Sequence, residues 1–520
     1  MVSTDVVKAV RNFFSSRKIV KSVNETMICF IPKKGNSKKV DDYRPIPFCN
    51  TIYKIISKVI VNRLRTILER IINVNQAAFL KGRHIYDNIL WVNETINSKD
   101  FWDKGGCCLK LDLLKAYDRV SWKFIANSMK FLDFYPRWIA TIMQCITSAR
   151  RGTINTIKVV LEDFERLAGM KTSEIQRILQ WTNGKLPSEY LGLPMFLGRL
   201  TENLCLPLLT KVEKRLAAWK ARLLSYAGRL CLIRYVLMTL PYYWTMRFRL
   251  PKVVIKKIQQ ACINFLWNDE EGARHMHLVK WDRMCMPVEE GGVGIRRLEE
   301  VNRAMPASRC CRLLLSGDPW ANLLKEKYLR YHSLWTFKRA TNQSWGWKGL
   351  RWGWTWIQDK VEWRIGNGEC VRFWTDRWSR QILLTRADGS GYGLHGKELI
   401  TSVQEFTSAS QGSPSLDIAV HLGVFKDDIR LRDADDSLVW SDDGKDKFRA
   451  GNIMKKCRTQ GVKKWWWKKI WNSSAPAKSC WHTYIACEGR LPTLDRLQKA
   501  GIQLANRCSA FVPRRPMVIS

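Results

Sequence analysis

Residues 51–72, TIYKIISKVIVNRLRTILERII, carry apolar side chains at helical spacing: Ile52, Ile56, Val59, Ile60 and Ile67 share one face, with Lys54, Lys58, Arg65 and Glu69 opposite. Arg63 falls in the middle of the apolar face. Two readings stay open for it: a guanidinium that snorkels out of the core or pairs with a neighbouring carboxylate, and one aimed at a nucleotide or nucleic acid. Upstream, TMICFI (26–31) reads as a short buried strand, and the PKKGNSKKVDDYRP that follows reads as a basic loop turning at Gly35. CCLKLDLL (107–114) is a second strand candidate, and SWKFIANSMKFLDF (121–134) begins the helix after it.

From about residue 205 the pattern becomes mostly helical. Val212, Leu216, Trp219 and Leu223 form a stripe in steps of four, three and four, flanked by Lys211, Arg215, Lys220 and Arg222. Such a helix either packs its stripe and leaves a basic rim in water, or rides on a nucleic-acid backbone. Two tracts are rich in Trp, residues 344–380 and KKWWWKKIWNSSAPAKSCW (463–481). Trp beside Arg or Lys serves either as core or as a platform on which bases stack. Between them, residues 381–445 are richer in Gly, Ser and Asp and read as a linker or loosely folded insertion. No internal repeat is present.

Composition narrows the partners. Lys plus Arg total 87 against 47 Asp plus Glu, a formal net charge of +40 spread along 520 residues, so polyanions are expected and nucleic acid is the commonest. With 46% hydrophobic residues the chain can build about two to four cores. The 16 Cys contain no CxxC and read as reduced residues of an intracellular protein. Residues 1–20 hold no continuous apolar stretch of the signal-peptide kind, and LCLIRYVLMTLPYYW (230–244) is broken by Arg234 and Pro241. Neither secretion nor a membrane partner is expected.

The candidate chemistry lies in KLDLLKAYDRVSW (110–122), where Asp112 directly follows an apolar run. Phosphoryl transfer by two metals needs two or three carboxylates converging on the ions, so Asp112 cannot work alone. The segment LKLDLLKAYDRVSW (109–122) closely resembles the first palm motif of reverse transcriptases from LINE-type non-LTR retrotransposons, the plant kind in particular. NETMICFIPKK (24–34), DDYRPIPFCNTIYKIISKVIVNRLR (41–65), NQAAFLKGRHIYDNIL (75–90) and WIATIMQCITSA (138–149) resemble its other motifs in the family's order. Downstream, LPSEYLGLPM (186–195), EEGGVGIRRLEEVNRA (289–304) and WRIGNGECVRFWTDRW (363–378) look like the thumb and connector of the same polyproteins. Residues 465–508 are similar to the start of the reverse-transcriptase zinc-binding domain.

The resemblance implies an α+β, right-hand polymerase-like fold: fingers and first part of the palm in 1–150, and residual palm end, thumb and connector in 151–330. A Trp-rich connector and linker would follow in 331–445, and a truncated zinc-binding-like domain in 446–520. It implies RNA-directed DNA polymerisation on an RNA template from a DNA primer, with Mg²⁺. Asp112 would be the first metal carboxylate and catalytic residue, and Tyr117 would lie beneath the sugar. Lys33 and Arg44 would contact the triphosphate, while Arg63, Lys81 and Arg83 would contact nucleic acid.

Three departures qualify that picture. After CITSAR (145–150) the family has a glycine-rich segment and an aromatic-Ala-Asp-Asp hairpin, whereas this chain passes to GTINTIKVVLEDFERLAGMKTS (152–173), which looks like the helix after that hairpin. Asp435 and Asp436 in DADDSLVWSDDG (433–444) imitate the lost pair but lie in a polar stretch, and VEEGG and FKDD lack a flanking apolar strand. The magnesium site is therefore expected to be incomplete and the polymerase inactive. Phe511 stands where the zinc domain's next Cys belongs, and Cys508, His482, Cys480 and Cys487 are not spaced as a site, so zinc is not expected. The chain also begins inside the fingers, without the nuclease that prepares a primer. Three outcomes follow: an enzyme, if a coding segment has been skipped near Arg150; a non-catalytic nucleic-acid-binding remnant; or a chain with uncovered apolar surface.

Overall fold

The structure is a computed structural model that describes residues 2–24, 26–32, 43–80, 82–106, 108, 110, 120–147, 185–219, 224–267, 277–337, 343–379, 382–383, 398–409, 414–471, 474–491 and 493. It forms two compact units, Met1–Asn88 with Ser98–Gly184, and Ile89–Asn97 with Lys185–Ser520. Helices dominate the described residues, and the strands form three two-stranded antiparallel sheets. At that level the expected α+β class holds.

In the first unit, β1 (Thr26–Pro32) pairs with β2 (Tyr43–Cys49) in register from Thr26 opposite Cys49 to Pro32 opposite Tyr43. The strand expected over 26–31 is present but not buried: Met27 is 79% exposed, and Phe30, Ile31, Ile46 and Phe48 are exposed as well. A two-stranded ribbon has too little neighbouring surface to cover both of its faces. The helix predicted over 51–72 runs Thr51–Ile71, and its first turn is closed by the Asn50 side chain, which accepts from the Ile52 N–H at 2.9 Å. Its Ile56 and Ile60 pack with Phe13 of helix Val2–Ser16 and Cys145 of helix Pro136–Thr147, and the Tyr53 hydroxyl donates to the Cys145 carbonyl at 2.9 Å. Helix Trp122–Phe131 starts where expected, with the Ser121 hydroxyl accepting from Phe124 N–H at 3.0 Å. The basic loop around Gly35 and the helix read over 152–173 lie outside the described residues, as does the strand candidate 107–114 apart from Cys108 and Lys110.

The second unit has one continuous hydrophobic core that draws on residues from Leu193 to Ile485. Helix Leu206–Ala218 buries Leu208, Leu209 and Val212, with Leu216 and Trp219 partly buried against the core, so the described part of the predicted stripe faces inward. Helix Leu298–Leu315 lies at the centre and buries residues around its whole circumference, among them Val301, Ala304, Ala307, Cys310 and Leu313. Its small residues let helix Trp345–Trp354 come close: a Cβ on Gly353 would lie 2.5 Å from Ala307 N and 2.7 Å from Pro306 Cβ.

The stretch that composition reads as a linker is folded over its described residues. It contributes Val403, Phe406, Ala419, Leu422, Leu438 and Trp440 to the core, and its β6 (Ser437–Trp440) pairs with β5 (Val361–Arg364). Its apolar residues are few, yet each sits at a position where the neighbouring elements cover it, and overall polarity does not report that placement. Two ion pairs fasten the segment after residue 448 to this core: Arg458 to Glu290 at 2.7 and 2.5 Å, and Arg283 to Glu488 at 3.0 and 2.8 Å. No helix among the described residues is long and apolar enough to cross a membrane.

Candidate nucleic-acid interface

Of the residues assigned to catalysis and nucleotide binding, Asp112, Tyr117 and Lys33 lie outside the described residues, as does Lys81. Arg44 occupies β2 opposite Ile31, one position from the end of the ribbon and next to the segment that carries Lys33. Arg63 is exposed on helix Thr51–Ile71, with its guanidinium carbon 5.6 Å from the centre of the Phe14 ring. No carboxylate among the described residues pairs with it. Its apolar neighbours explain how an Arg sits on that face: the head leans over an aromatic ring at the edge of the small core.

Arg83 has a different use. Its two terminal nitrogens donate to the carbonyls of Asn73 at 2.6 Å, Gln76 at 2.9 Å, and Glu69 and Ile72 at 3.2 Å. A helix leaves its last carbonyls without partners and its C-terminus partly negative, and this guanidinium answers both. Arg83→Ala is therefore expected to destabilise the first unit by about 1–3 kcal/mol in urea unfolding while leaving the salt dependence of RNA binding unchanged. A smaller salt slope with undiminished stability would make Arg83 a phosphate contact instead.

The acidic clusters weighed as substitutes for the missing carboxylates have structural partners. Asp436 accepts three backbone N–H groups, from Gly366 at 2.7 Å and Gly368 at 2.9 Å on one oxygen and Cys370 at 2.9 Å on the other. A Cβ on Gly366 would stand 2.1 Å from the Ala434 carbonyl, so the glycine is what lets the two strands' ends meet. Glu290 is held by Arg458, whose hydrogen bonds keep its carboxyl below the usual range. Asp427 and Asp428 of FKDD are exposed in a short turn. Among the described residues no three His, Cys, Asp or Glu gather as metal ligands. Cys480 is buried with its thiol toward the Ala475 carbonyl, His482 faces the Lys478 carbonyl at 2.8 Å, and Cys487 is exposed. These three do not form a donor set, and Cys508 lies outside the described residues.

The Trp-rich tract divides in a way that residue counting did not foresee. On helix Trp345–Trp354, Trp347 and Trp354 are seven apart and fully buried. Trp345 and Trp352, also seven apart but offset by two residues, stand on the other side and are half-buried. Over this outer pair lie arginines from three other segments. The Arg249 guanidinium is 4.2 Å from the Trp352 ring centre, Arg303 is 5.5 Å from Trp352 and 5.4 Å from Trp356, and Arg199 is 5.4 Å from Trp345. The signal available in the sequence was the double seven-residue spacing; the arginines are too distant along the chain to be associated with it.

Comparison with known proteins places this arrangement. Residues 31–165 match the family model described as reverse transcriptase (RNA-dependent DNA polymerase), and residues 448–513 match that described as zinc-binding in reverse transcriptase. The chain belongs to the reverse transcriptases of plant retrotransposons. It is 32% identical over 195 residues to a putative ribonuclease H protein of Arabidopsis thaliana, covering 36% of this chain and 31% of that protein. It is 30% identical over 143 residues to an uncharacterized mitochondrial protein of the same plant, covering 27% of this chain and 93% of that protein. An uncharacterized 149 kDa transposon protein of Xenopus laevis is 26% identical over 145 residues, covering 28% of this chain and 11% of that protein. The chain thus spans 31% and 11% of the length of the two longer relatives. The match to a zinc-binding family runs against the expectation of no zinc, although the described thiols and imidazole do not assemble a site.

Proposed function

We propose that this protein is a LINE-type reverse-transcriptase derivative that binds nucleic acid and does not polymerise. The observation that carries the reading is internal to the sequence: Asp112 has its motif intact, while the chain runs from CITSAR straight to GTINTIK without an Asp-Asp hairpin between them. One carboxylate cannot hold two metal ions, and the acidic residues that could have replaced the pair are engaged elsewhere or exposed. Magnesium would be left with Asp112, and no catalytic step is assigned to it.

In this reading residues 1–150 are the fingers and first part of the palm, 151–330 the palm end, thumb and connector, and 446–520 the zinc-binding-like segment. Lys33 and Arg44 retain the chemistry to grip phosphates, and Tyr117 the ring that lies under a sugar. Arg63 and Lys81 touch the strand. Template RNA and a DNA primer are the partners that fit, and a nuclear or cytoplasmic location follows. A second reading, apolar surface left uncovered by the shortened palm, is favoured by the exposed Met27, Phe30 and Phe48 of the ribbon.

Titration of the full chain with a single-stranded RNA at several salt concentrations tests the binding. The expected outcome is an affinity that falls linearly with the logarithm of salt, by about 0.7 per phosphate contacted. Affinity that does not respond to salt would remove nucleic acid from the reading, and strong binding of a hydrophobic dye to the native protein would favour the second.

A further inference from the structure

The outer face of helix Trp345–Trp354 was left unexplained by the reverse-transcriptase reading, and its charges are not balanced. Arg199 is exposed and Arg249 and Arg303 are half-buried. None of the three pairs with a carboxylate among the described residues. Glu94, which lies under Gly346, is already taken by the Ser344 hydroxyl at 2.5 Å and the Tyr328 hydroxyl at 3.2 Å. Glu299 accepts from Gln259 at 2.9 Å. Burial and the two neighbouring guanidiniums of Arg199 and Arg303 push Arg249 below its usual value, so the three cations feel one another.

A cluster of like charges destabilises a fold unless an anion joins it. The tryptophans orient this one. A guanidinium lying over an indole is held by the ring while its N–H fork stays free at the rim, and that fork fits two phosphate oxygens. Arg303 already shows this edgewise reach, donating to the Thr355 hydroxyl at 3.2 Å. Lys348, exposed one turn after Trp345, adds a fourth cation to the face. Indole surface beside a phosphate grip is also where unpaired bases stack.

We propose that Arg199, Arg249 and Arg303, set over Trp345, Trp352 and Trp356, form a binding surface for the phosphate backbone of a single-stranded nucleic acid. The surface lies wholly within the second unit and needs no carboxylate chemistry. It rests on the reading that nucleic acid is the chain's partner, but not on whether polymerisation occurs. It also assigns the connector a task of its own.

The test uses the full chain and a photoreactive uridine-substituted single-stranded RNA of mixed sequence. Irradiation followed by peptide mapping should place crosslinks in residues 343–357 of the unmodified protein. Crosslinks confined to residues 1–147, with binding intact, would overturn this proposal and leave the wider reading standing; absence of any RNA binding would overturn both. In parallel, Arg199→Gln with Arg249→Gln and Arg303→Gln should weaken binding at least about tenfold and reduce the salt slope by about 2, as three lost single-strand phosphate contacts require. The triple Lys variant, which keeps the charges and loses the forks, should keep the slope and still lose affinity. If the Gln variant does not fold, the crosslinking result stands by itself. Displacement of the RNA from 343–357 by polyglutamate at equal charge concentration would show that the surface takes acidic polypeptide equally well, and would overturn the assignment to nucleic acid.

Discussion

Arg458→Ala is expected to lower the unfolding free energy of the second unit by about 3–5 kcal/mol, because it leaves a buried carboxylate without its counter-ion. Glu290 is only 6% exposed, and both of its oxygens accept from the Arg458 fork, at 2.7 and 2.5 Å. The pair joins the turn Val288–Glu290 to the end of helix Ala450–Cys457, two segments far apart in the chain that meet only in the folded unit. The pH dependence has a definite sign. The Arg458 hydrogen bonds, helped by the Gly461 N–H, hold the Glu290 carboxyl below its unfolded value. Its contribution is therefore present above the ordinary carboxylate range, about pH 4.3, and is lost as pH falls through the depressed value. Urea unfolding at pH 7 and at pH 4 should show the variant penalty shrinking toward acid. A penalty under about 1 kcal/mol at pH 7 would place the pair among weak surface contacts.

The second large effect is expected at Asp436. Asp436→Ala removes the acceptor for three N–H groups, of which those of Gly366 and Gly368 belong to buried residues. Each buried donor left without a partner costs about 1–3 kcal/mol, so a loss of about 2–6 kcal/mol follows. Its neighbour is the control. Asp435 is exposed, and Asp435→Ala should change stability by less than about 0.5 kcal/mol. The contrast also bears on chemistry, since a working Asp-Asp pair would show two variants that fold alike and fail alike.

The elements most legible in the sequence were those whose pattern is local. Helix Thr51–Ile71 followed from the spacing of Ile52, Ile56 and Ile60, with Asn50 supplying the cap, and Ser121 marked the start of helix Trp122–Phe131. What could not be read depends on contacts between distant segments. Arg83 looked like any basic residue in a nucleic-acid-binding motif until its guanidinium was found on four carbonyls of the preceding helix end. Residues 398–445 looked like a linker because Asp and Ser dominate the composition, while Phe406 in fact stacks on Phe373 at 3.6 Å between ring centres. Trp347 and Trp345 are two residues apart with opposite fates, one in the core and one beneath an arginine. Only the helix phase, set by which neighbour each face meets, separates them.

Primer extension tests the central claim most directly. The full chain, with Mg²⁺ and labelled dTTP on a poly(rA)/oligo(dT) substrate, is expected to give no incorporation above a no-enzyme control, and Asp112→Asn is expected to behave identically. Incorporation by the unmodified chain that Asp112→Asn abolishes would show that Asp112 still has metal-binding partners, and would contradict the account.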